Sequence, residues 1–447
     1  MNLLKIILKN MRQRALATTL TTISVALAVA LTVAILHIKH GMENRFEQSA
    51  IGYEMVVGAK GSPLQLVLNT VFNLDISPGN IPWSLVEKLR EDRRVKAAVP
   101  FSVGDNYHGF RIIGTTDQFG EAFGYKLAEG RWFNFSEAAL RDAFIEANEH
   151  AHERIAEERG ETPPKPAEHH HEASEAVIGA TVAEQTGLRV GQTFIAAHGL
   201  EPSPNAEQHT DNPWTIVGIL APTHTAVDRG LYINLDSFYH IEGHEVRDKS
   251  KAEAKKEEPK DNDPDPGQVS SVAVKLRSPI LALTLYREIN DSDNAMAAFP
   301  AVEIRKLFSI VGNIDHILLA QAILIGIVAG VAIAVSIYNS MSERRREIAI
   351  LRALGARRGT IFAVVVLEAV SICAIGAVAG VIGGHIIVFL ANAALQRVSG
   401  FTVSAFEFQT VELIVVAGCI ILGALAGLGP AARAYRTEVA KNLAPTS

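Results

Sequence analysis

Histidine is the side chain in this sequence best suited to chemistry. Of fifteen, thirteen fall between His40 and His316. His150, His152, His169, His170 and His171 crowd one charged, helix-prone segment, 136–174, beside Glu146, Glu149 and Glu153. Neutral imidazole ligates zinc, copper or nickel, and a His-rich tract holds such ions loosely. The spacing does not make a closed structural site, so any zinc bound here is expected to be weak and labile. The competing reading is a polar insertion, without core residues, whose histidines are incidental. Enzyme motifs are missing. Gly58-Ala59-Lys60-Gly61-Ser62 resembles a phosphate loop only superficially, because Lys60 precedes the second glycine instead of following it. Neither G-x-S-x-G nor H-E-x-x-H occurs. If ATP drives this protein, another subunit is expected to bind ATP and magnesium and hydrolyse the nucleotide.

A second concentration of chemistry is basic. Ser342–Thr360, SERRREIAILRALGARRGT, carries six Arg against two Glu. Ile348, Leu351 and Leu354 fall roughly on one stripe of a short helix, arginines surround them, and Gly355 is placed to end it. Such a helix is built to meet a partner at a membrane surface.

The elements that must hold this helix are long apolar runs. A membrane-spanning helix needs roughly 20 predominantly apolar residues. Four segments qualify: 15–38, 317–341, 361–390 and 413–432. The first is too long an apolar run for a cleaved signal peptide and is read as an anchor. Lys and Arg crowd the N-terminal flank, the 342–360 loop and the 433–447 tail, whereas the 391–412 connection has only Arg397. By the charge bias of short flanks, both termini and the 342–360 loop are expected in the cytoplasm. Residues 39–316 then form one large domain outside. Leu4, Ile7, Leu8 and Met11 recur at helical spacing with Lys5, Lys9 and Arg12 opposite, so 1–14 is expected to lie in the cytoplasmic interface.

The fold class expected is therefore an α-helical membrane domain of four transmembrane helices, with a large α+β extracytoplasmic domain inserted between the first two. Strands are read at 54–57, 95–103, 110–115, 194–197, 214–220, 230–233 and 272–276, and helices at 82–91, 180–187 and 279–290. Lys39–Gln48 and Val302–Ile314 continue the first two spans outward as a two-helix stalk. Residues 243–267 are almost devoid of apolar side chains and read as a solvated insertion. Residues 58–82 have no assigned role. Both cysteines, Cys373 and Cys419, lie in spans, so packing alone must stabilise the outer domain. A net charge of −6 without an outer basic cluster gives no sign of nucleic acid. Within the spans, the pairs Gly326/Gly330, Gly376/Gly380 and Gly423/Gly427 permit close helix approach. Glu368 is either a functional intramembrane carboxylate or a solvated side chain near the cytoplasmic end of its span. Few polar groups lie in the spans, which speaks against a hydrophilic conduit.

The loop R-R-x-E-I-x-x-L-R-x-L-G-A, the order of one span, a large outer domain and three spans, and the basic N-terminal helix together resemble the FtsX/MacB-type ABC-transporter permeases, the type VII or mechanotransmission superfamily. In the outer domain, Glu129–Phe133, Ala176–Ala183, Leu188–Gln192 and Thr215–Leu220 resemble the MacB-like periplasmic core in order. The segment between Phe133 and Ala176 is longer than that pattern. The resemblance implies a bacterial inner-membrane protein and a dimer of permeases, homomeric or related. Each would bind a cytoplasmic ABC ATPase through Arg345, Glu347, Ile348, Leu351, Arg352, Leu354 and Gly355. ATP-driven closure would move the outer domain, for efflux or substrate handling with an outer partner. Metal handling through the His-rich insertion, and a non-transporting signalling or wall-hydrolase-activating complex, are the alternative functions.

Overall fold

The structure is a computed structural model. It describes residues 3–13, 15–50, 52–158, 174–199, 213–240, 267–311, 313–343, 349–350, 352–353, 355–399 and 403–435. The chain divides into two compact units, 44–309 and 1–43 together with 310–447.

The outer unit is built on a mixed sheet. Its strands are β1 (Met55–Gly58), β2 (Ile81–Pro82), β3 (Val95–Tyr107), β4 (Phe110–Thr115), β5 (Leu127–Gly130), β6 (Glu175–Ile178), β7 (Thr193–Phe194), β8 (Ala197–His198), β9 (Trp214–Leu220), β10 (Leu231–Asn234), β11 (Gln268–Val269), β12 (Ser271–Leu276) and β13 (Met296–Ala298). The main sheet runs β13-β1-β12-β3-β4-β10-β6-β9-β5, and β2 pairs separately with β11. β3 joins the two halves. Its first half pairs with β12 and its second with β4, and a register shift between Val103 and Asn106 bends it there. The pairs β4/β10 and β6/β9 are parallel. The expected α+β character is present, and the strands read from sequence are found within a few residues. Missed were β5, β6, β13 and the two-residue β2 and β11.

Helices cover this sheet. Residues 58–82, left without a role by the sequence, contain a core helix, Pro63–Phe72, with Leu66 and Val67 fully buried. Ser62 caps its start through the Gln65 amide, Pro63 fixes its first turn, and Asn73 ends it at φ 56°. Phe72 at its end stacks on Phe46, whose ring meets Phe308 edge-on with centroids 5.6 Å apart. The two expected stalk segments thus meet each other and this helix inside the outer unit.

One expectation is corrected. The segment 136–174 is not devoid of core residues. Glu137–Glu158 is a helix, and Leu140, Ala143, Phe144 and Ala147, at positions i, i+3, i+4 and i+7, are buried in the main core. Phe144 packs against Trp83 and Tyr239, and Glu146 pairs with His240 at 2.6 Å. Removing 136–174 would therefore remove part of the core. Residues 243–266 lie outside the described residues.

The membrane-type unit contains an N-terminal helix, Leu3–Gln13, and long helices Ala15–Ala50, Asn313–Glu343, Arg358–Ser399 and Thr410–Tyr435. Among the described residues, three stretches are long and apolar enough to cross a membrane: Ala15–Ala50, Arg358–Asn392 and Thr410–Tyr435. Within Asn313–Glu343 the apolar stretch is the shorter Ile323–Asn339. The helix Ala15–Ala50 runs unbroken through the boundary between the units at residue 43.

Candidate functional site: the two ends of the helical bundle

Small residues set the bundle's geometry. Gly376, Gly380 and Gly384 form a seam against Ala15–Ala50. A Cβ on Gly380 would stand 2.6 Å from Val29 Cβ and 2.7 Å from the Ala26 carbonyl oxygen. Gly376 and Gly384 meet Val25 and Val33 in the same way. Gly423 and Gly427 fit against Cys373 and Ala369. The Gly326/Gly330 pair differs. A Cβ on Gly330 would make ordinary contact with Leu422, and one on Gly326 would meet no atom within 4 Å among the described residues. Close packing by small residues is therefore realised in two of the three expected pairs.

One end of the bundle collects arginines. Arg433 Nη1 donates to Tyr338 Oη at 2.6 Å, and its guanidinium lies 4.8 Å from that ring's centroid. Arg358 lies 5.8 Å from the Tyr435 ring centroid. Tyr338, Arg358, Arg433 and Tyr435, from three helices, therefore share one end of the bundle, as antiparallel neighbours require. Of the coupling residues expected from sequence, Arg345, Glu347, Ile348, Leu351 and Leu354 lie outside the described residues. Arg352 is half-buried, and its carbonyl accepts from the Gly355 amide at 3.0 Å. Gly355 adopts φ 100°, a left-handed geometry that ends a helix and favours glycine. Ala349 is buried, whereas Ile350 is exposed. Glu368 is 9% exposed, so burial within the bundle replaces the solvated reading.

The other end holds a cluster that sequence reasoning missed. His37, His385 and Glu412 come from three different helices, with their ligand-type atoms all within 4.8 Å of one another. His37 and Glu412 are 2% and 1% exposed. His37 Nε2 lies 2.6 Å from the Ser404 carbonyl oxygen, and His385 Nδ1 lies 2.7 Å from that of Ala405. No local spacing foretells the cluster; the only signal is the rarity of His and Glu in otherwise apolar helices. The expected histidine cluster falls largely outside the described residues. His150 and His152 have backbone in the helix Glu137–Glu158, but their side chains, and the whole of His169, His170 and His171, lie outside the described residues.

Three helices long and apolar enough to cross a membrane, in a chain that also carries a large α+β unit, fit a membrane protein with a folded domain beside its spans. Two family models match: the MacB-like periplasmic core domain over residues 18–291 and the FtsX-like permease C-terminal over residues 320–439. The chain belongs to the MacB/FtsX-type ABC-transporter permeases. It is 33% identical over 119 residues to a macrolide export ATP-binding/permease protein MacB of Photorhabdus laumondii, a match covering 26% of this chain and 18% of that one. It is 44% identical over 71 residues to MacB of Campylobacter jejuni, covering 16% and 11%. The ABC transporter permease YtrF of Bacillus subtilis is 28% identical over 131 residues, covering 26% and 30%. The chain thus matches less than a third of the length of these relatives. The periplasmic region of MacB from Actinobacillus actinomycetemcomitans aligns at TM-score 0.31 and 11% identity, over 58% of this chain and 94% of that one.

Proposed function

We propose that this chain is the permease subunit of an ABC transporter whose ATP and magnesium are bound by a separate cytoplasmic ATPase. The helix around Ser342–Thr360 is the contact with that ATPase, and the arginine-rich end of the bundle faces the cytoplasm. Ile317–Met341 is also a membrane span, the second of four, both termini are cytoplasmic, and a second permease copy completes the assembly. Work is done on the outer side by moving the outer unit. The single observation that carries this reading is the helix Ala15–Ala50, which is continuous from the bundle unit into the outer unit. At about 1.5 Å per residue it is a rod roughly 50 Å long, able to pass displacement along its axis.

The test is Leu351→Asp in the purified permease–ATPase complex. A charge placed in an apolar socket costs a few kcal/mol if it is buried there. Stimulation of ATP hydrolysis by the permease is expected to collapse while membrane insertion is preserved. Unchanged stimulation rules the contact out.

A further inference from the structure

The cluster of His37, His385 and Glu412 lies at the end of the bundle away from the arginines, apart from the residues proposed to meet an ATPase. The direction of its hydrogen bonds fixes its chemistry. A backbone carbonyl can only accept, so His37 Nε2 carries a proton and donates to Ser404 O at 2.6 Å. In the neutral ring, Nδ1 then bears a lone pair. That atom is buried with no hydrogen-bond partner, and it faces Glu412 Oε1 at 3.6 Å. His385 repeats the arrangement. Its Nδ1 donates to Ala405 O at 2.7 Å, which leaves the lone pair of Nε2 facing Glu412 Oε2 at 3.1 Å. Glu412 Oε1 also accepts from the Gln409 amide at 3.2 Å. With both rings neutral, two imidazole lone pairs and a carboxylate converge, acceptor against acceptor, in a site almost closed to solvent.

We propose that His37, His385 and Glu412 bind a divalent transition metal ion, zinc by donor type. A cation between the three groups satisfies all of them at once. Zinc holds nitrogen and oxygen ligands at roughly 2.0–2.2 Å, so tetrahedral ligand atoms sit about 3.4 Å apart. The two histidine–carboxylate separations, 3.1 and 3.6 Å, bracket that value, and all three ligand atoms lie within 4.8 Å of one another. Two imidazoles and one carboxylate suit zinc and its neighbours, whereas calcium and magnesium take oxygen ligands. Each histidine also donates its remaining N–H to a backbone carbonyl, the outer contact that fixes ring orientation and tautomer in histidine metal sites. Three protein ligands leave a fourth position for water. The ion would tie Ala15–Ala50, Arg358–Ser399 and Thr410–Tyr435 together at one point, independently of the segment 136–174.

The experiment uses the full-length permease in detergent, with His150, His152, His169, His170 and His171 all replaced by Gln to remove the His-rich tract. The protein is stripped with chelator, dialysed against zinc or cobalt, and freed of loose metal. About one zinc per chain and a tetrahedral cobalt spectrum are expected. His37→Gln and Glu412→Gln should each reduce retained metal to less than a tenth and abolish the cobalt bands. Absence of metal from the parent protein overturns the proposal, whatever the folding of the variants. Retention of one equivalent by either variant also overturns it. A proton shared between His37 and Glu412 in place of a metal would give the first of these results.

Discussion

Gly326 and Gly380 stand in the same G-x-x-x-G pattern, yet the structure gives their alanine variants opposite signs. At Gly380 the new Cβ would lie 2.6 Å from Val29 Cβ and 2.7 Å from a backbone oxygen, against an ordinary contact of 3.4–4 Å. Neither neighbour is the swinging end of a side chain, so the two helices must separate by roughly 1 Å. Overpacking of this kind costs about 1–3 kcal/mol. The better helix propensity of alanine returns about 1 kcal/mol, leaving a net loss of about 1 kcal/mol. At Gly326 an added Cβ would meet nothing within 4 Å among the described residues, so Gly326→Ala keeps only the propensity gain, also about 1 kcal/mol. The readout must come from the bundle. All three tryptophans, Trp83, Trp132 and Trp214, lie in the outer unit, but both cysteines are in the bundle. A fluorogenic thiol reagent added during heating therefore reports bundle opening alone. Gly380→Ala should lower the midpoint of thiol exposure and Gly326→Ala should raise it. A raised midpoint for Gly380→Ala, or equal losses in both, would refute the seam.

Three further outcomes are expected. Phe144→Ala should destabilise the outer unit by about 3–5 kcal/mol, read by Trp83 fluorescence in urea; a loss under about 1 kcal/mol would return Glu137–Glu158 to the surface. Arg111 is buried in the outer unit with Nη1 lacking a hydrogen bond, and burial pushes its guanidinium down to about 10, with Asp75 opposing. A base whose folded pKa lies below its ordinary unfolded value imposes a cost that is constant below about pH 10 and is relieved above it. Arg111→Met at pH 7 should accordingly leave the melting temperature unchanged or raise it, and a fall of more than a few degrees would mean that the charge has a partner. Deletion of 136–174 should leave the outer unit unable to fold cooperatively, measured as loss of a sigmoidal melting curve.

Much of this architecture is legible in the sequence because burial leaves simple patterns. β3, β4, β9 and β12 are β-branched runs, and the bundle helices are long apolar stretches. Short strands escaped for a physical reason. Leu127–Gly130 is mostly exposed, and Glu175–Ile178 has too few residues to display alternation; register with β9 holds both in place. Glu137–Glu158 escaped differently. Its stripe is narrow and half alanine, and the charges and histidines around it outweigh the stripe in any compositional reading. His37, His385 and Glu412 are brought together only by three helices meeting, which no spacing along the chain encodes.

The chain enters the outer sheet at β1 and leaves it from β13, and these two strands are antiparallel neighbours, with Val56 opposite Ala298. Both attachments therefore meet the sheet at the same end of adjacent strands. A tug shared by the two attachments does not pull β1 away from β13, since both ends travel together. It passes instead into β12, which pairs with β1 from Met55 to Gly58. Antiparallel ladder bonds run perpendicular to the strands, so a pull along β1 shears that ladder as a set and does not open its bonds one at a time. A pull directed along β1 would therefore meet the sheet in its stiff direction, whereas peeling from the β13 edge would meet it in a weaker one.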